Sequence, residues 1–208
     1  MIIFDCDGVL VDSERLATSV IVGMANNLGL QLTVEEALPL FRGGKMADCV
    51  TEIERRLGKS VSESFVSDVR ARMAEVFRSD LRPVEGVKEV LDVVRIPICV
   101  ASSGPPEKIR LSLEVTGLLP RFTDCIFSAY EIGVWKPDPG LFLHAARTMG
   151  VPPHACAVVE DSVPGVKAGV AAGMAVFGFT GGASDEELTA AGATPFQSMA
   201  DLPQLLRK

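Results

Sequence analysis

The sequence predicts an α/β protein built on a doubly wound parallel sheet, with a block of helices inserted after the first strand. Three observations lead there. A short apolar run, Ile2-Ile3-Phe4, breaks off at Asp5 and is followed by Asp7-Gly8, which reads as a buried strand delivering two carboxylates to its end. Residues 14 to about 80 carry helical periodicity with no strand candidate. From Val87 onward, helices alternate with short apolar runs, the pattern of parallel strands joined by crossover helices.

The inserted block comes first. Leu16, Val20, Met24 and Leu28 recur every four residues and stop at Gly29, predicting one amphipathic helix. Thr33 and Glu36 have the spacing of a capping box at the start of the next. Met46, Val50, Ile53 and Leu57 form a third stripe, and Phe65, Val69, Met73 and Val76 a fourth. Residues 79–86, with Pro83 and Gly86, read as the return linker. The expected division is a core domain of residues 1–13 and 84–208 and a helical cap domain of residues 14–83.

In the core, strands are expected at 2–4, 98–101, 125–128, 155–159 and 175–179, with helices near 86–94, 105–116, 138–149 and 162–173. The runs end in Asp5, in Ser102-Ser103-Gly104, in a loop reaching Lys136, in Glu160-Asp161 and in Thr180-Gly181. Parallel pairing in a Rossmann-like sheet places all these ends on one rim, where ligands bind. Gly165, Gly169 and Gly173 fall every four residues, so their helix is expected to lie close against the sheet along one face.

Composition excludes several classes. With a net charge of −7, the chain carries no electrostatic footprint for nucleic acid or an anionic membrane. The five cysteines include no C-x-x-C pair and are odd in number, which points to buried thiols in a reducing compartment. No signal-peptide pattern or membrane-length apolar run stands out, so a cytoplasmic protein is expected, a monomer or weak homo-oligomer. His144 and His154 lie outside every motif, which argues against a Ser-His-Asp or Cys-His mechanism. Neither nucleotide-binding glycine fingerprint is present.

What remains points to phosphate and a divalent cation. Ser102-Ser103-Gly104-Pro105-Pro106 ends a strand and opens a helix, so free N–H groups and a hydroxyl can meet an anion. Lys136, ahead of Pro137, would supply positive charge opposite the acids. Asp5, the Asp7 region, Glu160 and Asp161 offer hard oxygens of the kind that hold Mg²⁺ while leaving room for substrate phosphate.

With Asp5-Cys6-Asp7-Gly8-Val9, Ser102, Lys136-Pro137 and Glu160-Asp161-Ser162 in this order, the chain resembles a haloacid dehalogenase superfamily phosphatase. Within it, the chain resembles the branch containing phosphoglycolate phosphatases and β-phosphoglucomutases, whose cap is a helical insertion after the first motif. The resemblance implies Asp5 as nucleophile forming an aspartyl-phosphate, and Asp7 as general acid and then base. It implies phosphoryl binding by Ser102, Ser103 and Lys136. Mg²⁺ would be held by Asp5, the backbone carbonyl of Asp7 and Asp161, with Glu160 supporting the site. The expected reaction is hydrolysis of a small phosphorylated sugar or sugar acid. The basic loop Arg42-Gly43-Gly44-Lys45, between two cap helices, is the candidate for contacting that small-molecule ester. The alternative is a β-phosphoglucomutase-like mutase. Against it, Met46 stands where that branch carries a cap arginine.

Overall fold

The computed structural model describes residues 1–206. The chain runs β1 (Ile2–Phe4), α1 (Glu14–Asn27), α2 (Val34–Phe41), α3 (Met46–Leu57), α4 (Phe65–Asp80), α5 (Val87–Val93), β2 (Ile98–Ser102) and α6 (Pro106–Val115). It continues β3 (Ile126–Ser128), α7 (Ala129–Ile132), α8 (Gly140–Thr148), β4 (Ala157–Glu160), α9 (Val163–Ala171), β5 (Ala175–Phe179), α10 (Asp185–Ala191), β6 (Thr194–Phe196) and α11 (Leu202–Leu205). The strands form one sheet in the order β3-β2-β1-β4-β5-β6, with every pairing parallel. The doubly wound α/β architecture expected from the sequence is the one found. The order changes direction between β1 and β4, which opens a crevice outside the carboxyl ends of those two strands.

β1 is the hub. Ile2, Ile3 and Phe4 are fully buried, each worth about 1.5–3 kcal/mol of apolar transfer. Alternation sends Ile2 and Phe4 into one apolar layer and Ile3 into the other. Residues of α1–α4 share the first layer, Val20, Phe41, Ile53, Val69 and Phe77 among them. The second layer holds Cys99, Val158, Phe142 and Val166 beneath α8 and α9.

Chain exit and return at the insertion lie side by side. Asp12 N–H donates to Arg82 O at 3.0 Å, and Val84 N–H donates to Leu10 O at 3.0 Å. Thr33 and Glu36 form the capping box that their spacing predicts, each side chain accepting from the other's backbone N–H. In α1 the buried face differs from the predicted stripe. Val20, Ile21, Val22 and Ala25 are buried, whereas Leu28 is 38% exposed. Contact with two neighbouring helices rather than one buries a wider face than a four-residue stripe describes.

Two further readings are corrected. A sixth strand, β6, pairs with β5 at the sheet edge; its Pro195 obscured it, and an edge is where a sheet tolerates proline. Of the three glycines expected to press on the sheet, only two do. A β-carbon at Gly169 would lie 2.7 Å from Val176 Cγ2, and one at Gly165 would collide with Glu160. Gly173 meets nothing within 4 Å; with φ of +73° it ends the helix instead.

Candidate active site

Asp5 extends β1 by one rung, its N–H donating to Val159 O at 2.9 Å, so its carboxylate emerges between β2 and β4. Glu160 ends β4 and Asp161 follows it. Asp5, Glu160 and Asp161 are all buried, and one carboxylate oxygen from each lies within 4.8 Å of the others. Lys136 enters from the loop before α8. Its Nζ donates to Asp5 Oδ1 at 2.7 Å and also to Glu160 Oε1. The other Glu160 oxygen accepts from Ser162 N–H at 2.8 Å and Ser162 Oγ at 2.9 Å. Both Glu160 oxygens are therefore engaged inside the protein, and this residue orients Lys136.

Asp161 stands apart. Its Oδ2 is buried with no hydrogen-bond partner among the described residues. It is pressed between two backbone segments: a β-carbon on Gly8 would lie 2.2 Å from Oδ2, and one on Gly182 2.3 Å. Gly8 also adopts φ of +76°, a conformation that favours glycine. Three buried carboxylates thus face one ammonium, with an unpaired oxygen among them. Burial, then the Glu160 and Asp5 charges, push the Asp161 carboxyl up. Burial likewise lifts Asp5 to about 7, Lys136 opposing and Glu160 and Asp7 adding to the rise. Burial works against the Lys136 charge, but Asp5 and Glu160 outweigh it and raise its pKa. Such a donor set fits a hard divalent cation, which would relieve the excess negative charge.

Asp7 has different company. Its carboxylate turns to Lys108, whose Nζ lies 2.8 Å from both oxygens, and to Ser13 Oγ, which donates to Oδ1. It is not among the three clustered carboxylates. Burial would raise its pKa, but the Lys108 charge and the two donors hold it below the usual range. Cys6, between the two aspartates, is buried, and burial with the Asp7 and Asp5 charges keeps it a thiol.

Above these groups opens a cavity of about 330 Å³. Asp5, Asp7, Ser102, Ser103, Lys136 and Asp161 line its sheet side. Met46, Arg70, Met73, Phe77 and Arg78 line its helical side. Ser102 is 1% exposed, its Oγ accepting from Gly104 N–H at 3.0 Å. The two cations of the 42–45 loop are not among the residues that line the cavity. Arg42 donates through Nη1 to Gly182 O, and Lys45 Nζ sits 4.6 Å over the Trp135 ring. Gly43 and Gly44 line the cavity in their place.

Comparison with known proteins agrees with this geometry. The family described as haloacid dehalogenase-like hydrolase matches residues 1–173. The chain belongs to the haloacid dehalogenase-like hydrolases. Within that family it is 36% identical over 205 residues to 6-phosphogluconate phosphatase of Escherichia coli, covering 98% of this chain and 93% of the relative. A haloacid dehalogenase-like protein of Agrobacterium tumefaciens superposes with a TM-score of 0.85 at 36% identity, covering 99% of this chain and 96% of the other. A family hydrolase from Deinococcus radiodurans, solved with bound phosphate and sodium, gives 0.80 at 28% identity over 99% and 93% of the two chains. This haloacid dehalogenase-like hydrolase is a phosphoric monoester hydrolase.

Three polar residues around Asp7 escaped the sequence reading. Lys108 carried a usable signal: it is in the first turn of α6, where the helix dipole disfavours a cation without a partner. Glu14 carried none, because an acid at a helix start is ordinary. It lines the cavity beside Asp7, and burial raises it to about 7. Ser13 precedes the same helix and gave no sign of its bond to Asp7.

Proposed function

We propose that this enzyme is a Mg²⁺-dependent phosphatase of a small phosphorylated sugar or sugar acid, acting through an aspartyl-phosphate on Asp5. The observation that carries the reading is the convergence of Asp5, Glu160, Asp161 and Lys136 beneath one cavity, with an oxygen of Asp161 left unpaired. The identity to a 6-phosphogluconate phosphatase supports the substrate class.

In this reading Asp5, Asp161 and the backbone carbonyl of Asp7 would hold Mg²⁺, and Glu160 would support the site through Lys136. When bound, the cation neutralises charge on the carboxylates and on the phosphoryl oxygens. A carboxylate oxygen of Asp5 attacks phosphorus and the bond from phosphorus to the ester oxygen breaks. Asp7, ionised in the free site, passes on to that leaving oxygen a proton it has taken from the monoanionic ester. Asp7, now a carboxylate, takes a proton from water as the water oxygen attacks phosphorus. The Asp5–phosphorus bond breaks and inorganic phosphate leaves. Splitting the displacement in two lowers the barrier of a very slow hydrolysis. Lys136 and Ser102 hold the phosphoryl oxygens, and Lys108 holds Asp7 ionised for the water-activating half.

Met46 on the cavity wall favours the phosphatase over a mutase, which must grip a second phosphate. The test is phosphate release from a panel of sugar phosphates with Mg²⁺ or with chelator, using the parent and Asp5→Asn. Turnover is expected only for the parent with Mg²⁺, and undiminished turnover by Asp5→Asn ends the proposal. Conversion of a hexose 1-phosphate to its 6-phosphate, with no free sugar, would establish the mutase instead.

A further inference from the structure

The cavity holds more positive charge than the reaction centre uses. Both of its lysines are engaged, Lys108 by Asp7 and Lys136 by Asp5 and Glu160. Arg70 and Arg78 also line it, and neither pairs with a carboxylate among the described residues. The two arginines lie with Met73, Ala74 and Phe77 at helical spacing along one face of α4. Their Cα atoms are separated by about 12 Å along its axis.

The two ends of this stripe differ. At the Phe77 end, Lys108 Nζ lies 5.8 Å over the Phe77 ring, which puts Arg78 on the side of Asp7, and Arg78 is exposed to solvent. At the other end, Arg70 is half-buried. Its Nη2 donates to Tyr130 Oη at 3.2 Å, and its guanidinium lies 5.4 Å over the Tyr130 ring. Tyr130 also lines the cavity and follows β3, two strands from β1. Strand spacing sets β3, which Tyr130 follows, about 10 Å to the side of β1, which Asp5 follows.

We infer that Arg70 and Tyr130 receive a carboxylate at the end of the substrate opposite its phosphate, which makes the preferred ester a phosphorylated sugar acid. The inference rests on the phosphatase reading above and adds the class of substrate. Arg70 retains N–H donors beyond the one directed at Tyr130, and the tyrosine hydroxyl, accepting from Arg70, still has its own hydrogen to donate. Together they present a fork matched to a carboxylate on the solvent-facing wall of the cavity, where Tyr130 is 38% exposed. A hexose-derived chain is long enough to cross two strand spacings from Asp5, whereas a two-carbon ester is not.

The test compares kcat/KM for 6-phosphogluconate with that for the hexitol 6-phosphate carrying a hydroxymethyl group in place of the carboxylate. The parent should prefer the acid. Arg70→Gln should lower the acid-to-hexitol ratio about ten- to a hundredfold, chiefly through KM for the acid, as expected on losing one charge-assisted contact. Arg70→Lys should keep part of the ratio, since charge survives without the fork, and Tyr130→Phe should lower it by a smaller factor. Circular dichroism checks folding, and if Arg70→Gln does not fold, Arg70→Lys and Tyr130→Phe decide. An equal loss on both esters, an unchanged ratio, or a parent with no preference for the acid overturns the assignment and leaves the phosphatase standing. A parent that releases phosphate from no ester overturns both.

Discussion

Lys108 Nζ lies 2.8 Å from each carboxylate oxygen of Asp7, joining the first turn of α6 to the loop after β1 across 101 positions of sequence. The pair is mostly buried, with side-chain exposures of 24% and 15%. It accounts for why Asp7 remains ionised where burial alone would protonate it.

Removing the lysine head leaves that carboxylate unpaired. Lys108→Met is expected to cost about 1–3 kcal/mol at neutral pH. The sign follows from a depressed folded pKa. The stabilisation is present above the unfolded value of Asp7 and is lost as pH falls through the folded one. Urea unfolding should therefore separate variant and parent at pH 7, and the two should draw together in acid. An equal gap at both extremes would assign the loss to packing of the lysine stem on Phe77.

Glu14 gives the opposite slope. Burial raises it from 4.5 to about 7, with the Asp7 charge adding to the rise, so the folded state disfavours its carboxylate. Stability is then lost as pH rises from the usual glutamate range towards 7, and stays lost above. Glu14→Gln removes this cost. Its melting temperature should match the parent near pH 4 and exceed it by pH 8, by an amount equivalent to about 1–3 kcal/mol. Scanning calorimetry at the two pH values checks this; a variant less stable at pH 8 contradicts it.

Two glycines should answer alanine in opposite directions. At Gly165 a β-carbon would fall 1.9 Å from Glu160 Cδ, so Gly165→Ala must displace the carboxylate that orients Lys136. It should cost about 3 kcal/mol and reduce phosphate release. At Gly23, inside α1, nothing lies within 4 Å and φ is not positive. Gly23→Ala should stabilise by about 0.5–1 kcal/mol with turnover kept. Denaturant midpoints for both variants, measured side by side, give the comparison.

How legible each part was depends on where its residues sit. Asp5, Glu160 and Asp161 stand at the ends of apolar runs, and Lys136 between two such segments, so parallel pairing alone brings their backbones to one rim. Lys108, Arg70 and Tyr130 lie on helix faces, where the residue that meets the cavity depends on how each helix is turned. Arg42 and Lys45 make the point from the other side. Their loop sits where the sequence suggested, yet Arg42 reaches the Gly182 carbonyl and Lys45 the Trp135 ring. Position along the chain did not reveal the direction of either side chain.

From the amino-acid order alone came the doubly wound sheet, the helical insertion and the acids at the strand ends, because strand period and strand-end placement are local properties repeated along the chain. Only the tertiary structure decided that Asp7 pairs with Lys108, that Glu160 is wholly engaged by Lys136 and Ser162, and that Asp161 keeps an oxygen unpaired. Those outcomes depend on the angles at which helices pack on the sheet and on distances of a few tenths of an ångström. They are fixed by the whole packed interior rather than by any one segment.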